Sequence, residues 1–204
     1  MAISTASTRH EFRIGRVRAR PITEDERAAW DRLMERDHCL GNAHFPGHQL
    51  RYVVEHCGKA LALLGFSACA YHLADRDRWI GWSQEQAMQR RPFVVQNSRF
   101  LILPGEHERN VASRALGLCT RRLSEDWRER FGYAVVMVET FVDPERFTGG
   151  AYKAAGWTHA GHTRGFRRDF REFYSEDSTP KMVWMKLLRS DARELLRAEE
   201  MPPE

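Results

Sequence analysis

A chain of 204 residues, 42% hydrophobic and 29% charged, is long enough to bury one substantial core and too apolar to stay disordered. No apolar run approaches the roughly 18 residues of a membrane span, and the polar stretch Met1 to His10 has no signal core, which predicts a cytosolic protein with no membrane partner. The net charge of +4 allows an anionic partner without demanding one.

Residues 1–11 read as a loose tail. Phe12 to Arg20 alternates apolar and basic residues, the period of a half-exposed strand, and Pro21 ends it. Thr23-Glu-Asp-Glu26 is a capping box opening an amphipathic helix to about Arg36. Asp37 to Gln49 is irregular, broken by Gly41, Pro46 and Gly47. A hairpin follows: Leu50–His56, a turn at Cys57-Gly58, then Ala60–Tyr71, apolar enough to be a central strand. Arg76 to Trp82 reads as a turn, and Ser83-Gln-Glu-Gln86 is a second capping box opening a short helix to about Arg91.

The middle of the chain organises the rest. It runs from a strand at Arg99–Leu103, closed by Pro104-Gly105, through a loop at 106–110 to a long helix from Val111 to Phe131. A strand at Ala134–Glu139 and a short helix ending at Gly156-Trp157 come next. A helix N terminus set directly after a buried strand offers free N–H groups and a positive dipole end to phosphate. Thr158–Thr163 and Lys181–Leu188 are strands, and Asp191–Glu200 is a short charged helix. Between those strands, residues 164–180 form an arginine-aromatic insertion. The pattern predicts an α/β domain over residues 12–190, a single mixed, mostly antiparallel sheet flanked by helices, with 191–204 as a C-terminal helix and tail.

Several residue types suggest chemistry. Cys39, Cys57, Cys69 and Cys119 form no CxxC pair and read as reduced thiols. His38, His44, His48 and His56 match no zinc spacing, so no metal is expected; His38 is a candidate base or substrate contact. Glu139 ends an apolar strand, where a carboxylate is either a general base with a raised pKa or the partner of an arginine. Arg164, Arg167, Arg168 and Arg171, interleaved with Phe166, Phe170, Phe173 and Tyr174, fit DNA or RNA, arginines on phosphates and rings on bases; the alternative is a solvated insertion whose rings fold onto the sheet.

Strand, loop, long helix, strand, then Ala151-Tyr-Lys-Ala-Ala-Gly-Trp157 resembles the GCN5-related N-acetyltransferase (GNAT) superfamily. The resemblance implies a GNAT-like acyltransferase architecture, acyl-CoA as co-substrate and a small-molecule or nucleic-acid-linked amine as acceptor. In that superfamily an Arg/Gln-x-x-Gly-x-Gly/Ala loop holds the CoA pyrophosphate. Here the loop aligns as His107-Glu-Arg109-Asn110-Val111-Ala112, with His107 in place of Arg/Gln and Asn110 in place of glycine. Asn tolerates a left-handed backbone better than most residues, so the turn can survive. The implied pyrophosphate site is His107 and Arg109 to Ser113; the competing reading is that Asn110 and Ser113 cap the helix. Tyr152 falls on the superfamily's tyrosine, which protonates the departing sulfur; the competing reading packs it on Trp157.

A second resemblance spans most of the chain. His38-Cys-Leu-Gly41, Leu63-Leu-Gly-Phe66, Trp79-Ile-Gly-Trp82, Asn97-Ser-Arg-Phe-Leu-Ile-Leu-Pro104, Asn110-Val-Ala-Ser-Arg114 and Val138-Glu-Thr-Phe-Val-Asp-Pro-Glu-Arg-Phe147 look like the DruA family. That family is named for a component of the Druantia anti-phage system, with relatives beside transposase genes. It implies a setting in defence or mobile DNA, either as an enzyme or as a non-catalytic nucleic-acid- or partner-binding component.

Overall fold

The computed structural model describes residues 12–41, 45, 47–105, 109–165, 167–168, 174–175 and 179–199, with backbone only at 167–168 and 174–175. Seven strands hydrogen-bond in the order β1 (Val17–Pro21), β2 (Gln49–His56), β3 (Lys59–Ala68), β4 (Val94–Ile102), β5 (Met137–Val142), β9 (Met182–Leu187), β6 (Thr158–His162). The described registers are antiparallel except for β4 with β5, where Val94 to Gln96 run parallel to Met137 to Glu139. This is the mixed, mostly antiparallel sheet the pattern predicts. The chain divides into two compact units, one of residues 1–68 and 97–134, the other of residues 69–96 and 135–204.

In the first unit, β2 and β3 form the hairpin, with Gln49 opposite Ser67 and His56 opposite Lys59. Alternate side chains of these strands face opposite sides, so each face takes a helix. Val53 and Leu63 pack with Leu101, Leu103 and Phe45 against Trp30 and Met34 of α1 (Arg27–Asp37). Tyr52 points the other way, and its hydroxyl donates to Asp126 of α4 (Val111–Phe131) at 2.6 Å. Trp30, fully buried, donates its indole N–H to Tyr52 O at 3.1 Å. The Thr23 capping box forms, with Thr23 N–H donating to Glu26 at 2.9 Å, but a 3-10 turn (Glu24–Glu26) precedes α1. Only the second half of the first expected strand is extended, because Ile14–Arg16 is also a 3-10 turn.

The second unit packs Leu73, Ile80, Trp82, Val136, Met137, Val183 and Met185 with Ala192 and Leu196 of α6 (Ala192–Arg197). The segment read as a turn is helix α2 (Ala74–Ile80). Gly81, at φ 81° and donating to Asp77 O, is its C-terminal cap, so the glycine marks the end of a helix and not the middle of a loop. The Ser83 box caps α3 (Gln84–Arg90) as expected. Arg90 and Gln86 of α3 donate to the carbonyls of Leu195, Leu196, Arg197, Ala198 and Glu199, closing the end of α6. The insertion contains a two-stranded ladder, β7 (Arg167–Arg168) with β8 (Tyr174–Ser175). No helix among the described residues is long and apolar enough to cross a membrane.

Candidate functional site

In the first unit the sheet delivers the chain to the start of α4, whose bounds match the expected helix. Asn110 adopts the left-handed conformation at φ 68°, where asparagine replaces glycine at least cost. Its side chain makes no capping bond. Its carbonyl instead accepts from Arg114 N–H at 2.9 Å and from the Ser113 hydroxyl at 3.2 Å. The capping role read for Asn110 is therefore not the one it takes. The amides of Val111, Ala112 and Ser113 belong to the first turn, which lacks intrahelical acceptors and carries the positive dipole end. No acidic residue stands in that turn, and Arg109 before it is exposed. The donor set suits a phosphate. His107 lies outside the described residues.

His38 closes α1, its N–H donating to Met34 O at 3.0 Å. Its Nδ1 accepts from Leu40 N–H at 3.1 Å, which assigns the proton of the neutral ring to Nε2. Of the other histidines, His44 lies outside the described residues. Among the described residues no group of His, Cys, Asp and Glu could hold a metal ion, and the four cysteines are free.

In the second unit Tyr152 sits half-buried on α5 (Gly150–Ala154), its ring edge-on to Trp157 with centroids 5.1 Å apart. Burial pushes its phenol up to about 12, against a hydrogen bond with Thr140 that pulls it down. The packing on Trp157 is as the competing reading had it. Gly149, at φ 74°, admits this helix: a Cβ there would lie 2.6 Å from the Trp184 indole.

Glu139 lies on β5 with no exposed surface, and so does Arg76 of α2. One oxygen accepts from Ala70 N–H at 2.8 Å and the other from Arg76 Nη1 at 3.3 Å. The same Nη1 donates to Ala70 O at 2.6 Å, and Arg76 Nε to Asp77 at 2.9 Å. Burial raises the Glu139 carboxyl above its ordinary range while Arg76 opposes the rise. Of the two readings left open for Glu139, the geometry is that of the arginine partner. Sequence reasoning missed Arg76 because α2 had been read as a turn. The neighbouring Cys69 thiol is pushed up to about 12 by burial and by Glu139.

Arg164 is exposed, Arg167 and Arg168 contribute backbone to β7, and Arg171 lies outside the described residues.

A family model described as Druantia protein DruA matches residues 4–178. The chain belongs to the DruA family. No curated protein matches this DruA chain. Among solved structures, the aminoglycoside acetyltransferase AAC(6')-Ib in complex with coenzyme A is 14% identical, with 87% of this chain and 97% of that one covered and a TM-score of 0.56. The same enzyme with paromomycin and acetyl-CoA gives 14% identity, 90% and 99% coverage and a TM-score of 0.55. The complex with ribostamycin and coenzyme A gives 13%, 90%, 99% and 0.55. At this identity the likeness establishes the fold, so this DruA protein has the GNAT-like architecture.

Proposed function

We propose that this DruA protein is an acyl-CoA-dependent N-acyltransferase working in an anti-phage or mobile-element setting. The observation that carries the reading is the first turn of α4, opened by a left-handed Asn110 whose side chain does not cap it and free of acidic residues. Support comes also from the fold, since the AAC(6')-Ib structures contain coenzyme A or acetyl-CoA. In this reading the amides of Val111, Ala112 and Ser113 hold a pyrophosphate, helped by Arg109 and His107. Bound acyl-CoA supplies an acyl thioester. Tyr152 Oη carries the proton that a departing thiolate needs, and its raised pKa keeps it protonated at neutral pH. The acceptor is an amine whose proton passes to solvent. Glu139 holds Arg76 and His38 closes α1, and neither transfers a proton.

The test is coenzyme A binding by calorimetry and thermal shift. Ligand at about 100 times Kd stabilises by ~2.7 kcal/mol, an upward Tm shift of about 5–10 °C for a chain of this size. Ser113→Asp separates binding from folding. A carboxylate in the first turn complements the helix dipole, so the apo Tm holds or rises, while coenzyme A affinity falls about tenfold or more. Wild-type protein without a shift, or a Ser113→Asp variant with undiminished affinity, would refute the reading.

A further inference from the structure

The first unit contains a second candidate site at the other end of α4. A cleft of about 500 Å³ lies where the turn after β1, the start of β2 and the end of α4 meet. That volume falls within the range of small-molecule pockets. Arg27, Arg51 and Arg130 line it against a single lining carboxylate, Glu24. Arg51 is anchored from behind: Nε donates to Asp31 at 3.1 Å, Nη1 donates to Gln49 at 2.6 Å, and the guanidinium lies 5.1 Å from both the Trp30 and the Phe45 ring centroids. Arg27 reaches Glu24 at 3.5 Å and Asp31 at 3.9 Å, both long contacts. Arg130 is exposed and has no ion pair or hydrogen bond among the described residues. Even with Asp31 counted, three guanidiniums exceed two carboxylates. Burial lowers the Arg51 pKa and Arg27 adds to the lowering, while Asp31 and Glu24 oppose it.

The remaining lining supplies a planar surface. His48 stacks flat on Phe131, centroids 4.3 Å apart and planes 4° apart, and its Nδ1 hydrogen-bonds the Tyr133 hydroxyl at 3.0 Å. The ring is thereby fixed, with Nε2 free of any described partner. Ile22 and Leu50 complete an apolar side.

We propose that this cleft binds a small ligand bearing one oxyanion, phosphate or carboxylate, on a planar body, with Arg130, Arg27 and Arg51 holding the anion and the His48–Phe131 pair facing the body. Guanidinium pairs take such groups through two parallel hydrogen bonds. The site is distinct from the proposed pyrophosphate site, because α4 has 21 residues, and at 1.5 Å per residue its ends stand about 30 Å apart. The same surplus of arginine argues against a polycationic ligand here.

Phenyl phosphate, benzoate and inorganic phosphate are titrated into the full chain by calorimetry. Phenyl phosphate or benzoate should saturate and bind about tenfold tighter than inorganic phosphate, a difference of ~1.4 kcal/mol. Which of the two binds identifies the oxyanion. Arg130→Glu, a change at an exposed side chain, should weaken that binding about fivefold or more, the scale of one or two screened charge pairs. Arg121→Glu on the exposed side of α4 and Ser113→Asp at its far end should leave it unchanged, and the latter separates this site from the coenzyme A reading. No saturable binding by either aromatic probe, equal affinity for inorganic phosphate, or an Arg130→Glu variant that binds like wild type would overturn the proposal.

Discussion

Replacing Glu139 with Gln keeps the shape of the side chain and an acceptor for Ala70 N–H but removes the charge that faces Arg76. Both side chains are wholly buried, so Arg76 cannot turn to water. Breaking a buried pair by deleting one partner costs about 3–5 kcal/mol, because the remaining charge is left uncompensated. Here Arg76 retains Asp77 at 2.9 Å and the Ala70 carbonyl at 2.6 Å. The cost therefore falls at the low end, about 3 kcal/mol, which for a chain of this length lowers Tm by about 6–12 °C. Circular dichroism followed through thermal and urea unfolding measures it. The double variant Arg76→Met/Glu139→Gln should recover more than half of the loss, since a neutral pair leaves no stranded charge. If Glu139 were instead the general base, the single variant would unfold like wild type and lose about a hundredfold or more in turnover. That pattern would defeat the structural assignment.

Tyr152→Phe keeps the ring packed on Trp157 but removes the acid; coenzyme A affinity should hold while turnover with a thioester donor drops about a hundredfold, and an unchanged rate would remove Tyr152 from the chemistry. Gly149→Ala forces a Cβ into the Trp184 indole and into a left-handed backbone, and should cost ~2 kcal/mol or more by urea unfolding; wild-type stability would show that the indole yields freely. Glu26 is held down at about 2, from an ordinary 4.5, by its hydrogen bond to Arg20 and by Thr23 N–H. Because its folded pKa is the lower one, Glu26 contributes fully above about pH 4.5, and the contribution fades as pH falls toward 2. Glu26→Gln should therefore lose about 1 kcal/mol at pH 7 and only a small part of that at pH 2, discounted for the exposure of Arg20; a loss independent of pH would point to packing alone.

The helix Val111–Phe131 was readable to the residue because 21 positions hold one apolar stripe and a glycine, Gly132, follows in the left-handed conformation. Both capping boxes were readable for a similar reason: their side chains bond within three residues of themselves, so tertiary packing has little say. Helix α2 was not readable. Seven residues give only two turns of period, and the apolar face of Ala74–Ile80 reduces to Ile80 and its neighbours in the core. Two edges also moved. The strand expected at Ala134–Glu139 runs from Met137 to Val142, and β4 begins at Val94, five residues before the expected Arg99. Apolar runs such as Val135 to Val138 fit either assignment, and only the partner strand sets the register.

Glu139 and Asn110 show how a residue's role depends on information held elsewhere in the chain. A carboxylate at the end of an apolar strand is equally a base or an ion-pair partner until the cation is located, and the cation stands 63 residues away, on the helix that carried no readable period. Asn110 is the opposite case. Its departure from the glycine of the pyrophosphate loop could be weighed locally, since the question was whether the backbone still turns left-handed, and at φ 68° it does. What the loop requires of position 110 is a conformation more than a residue type. The carbonyl of Asn110 is occupied by Ser113 and Arg114 while its side chain stays off the helix end, so the amides of the first turn are not closed by the residue that replaced glycine. Asn110 thus keeps the left-handed turn that the proposed anion site would need.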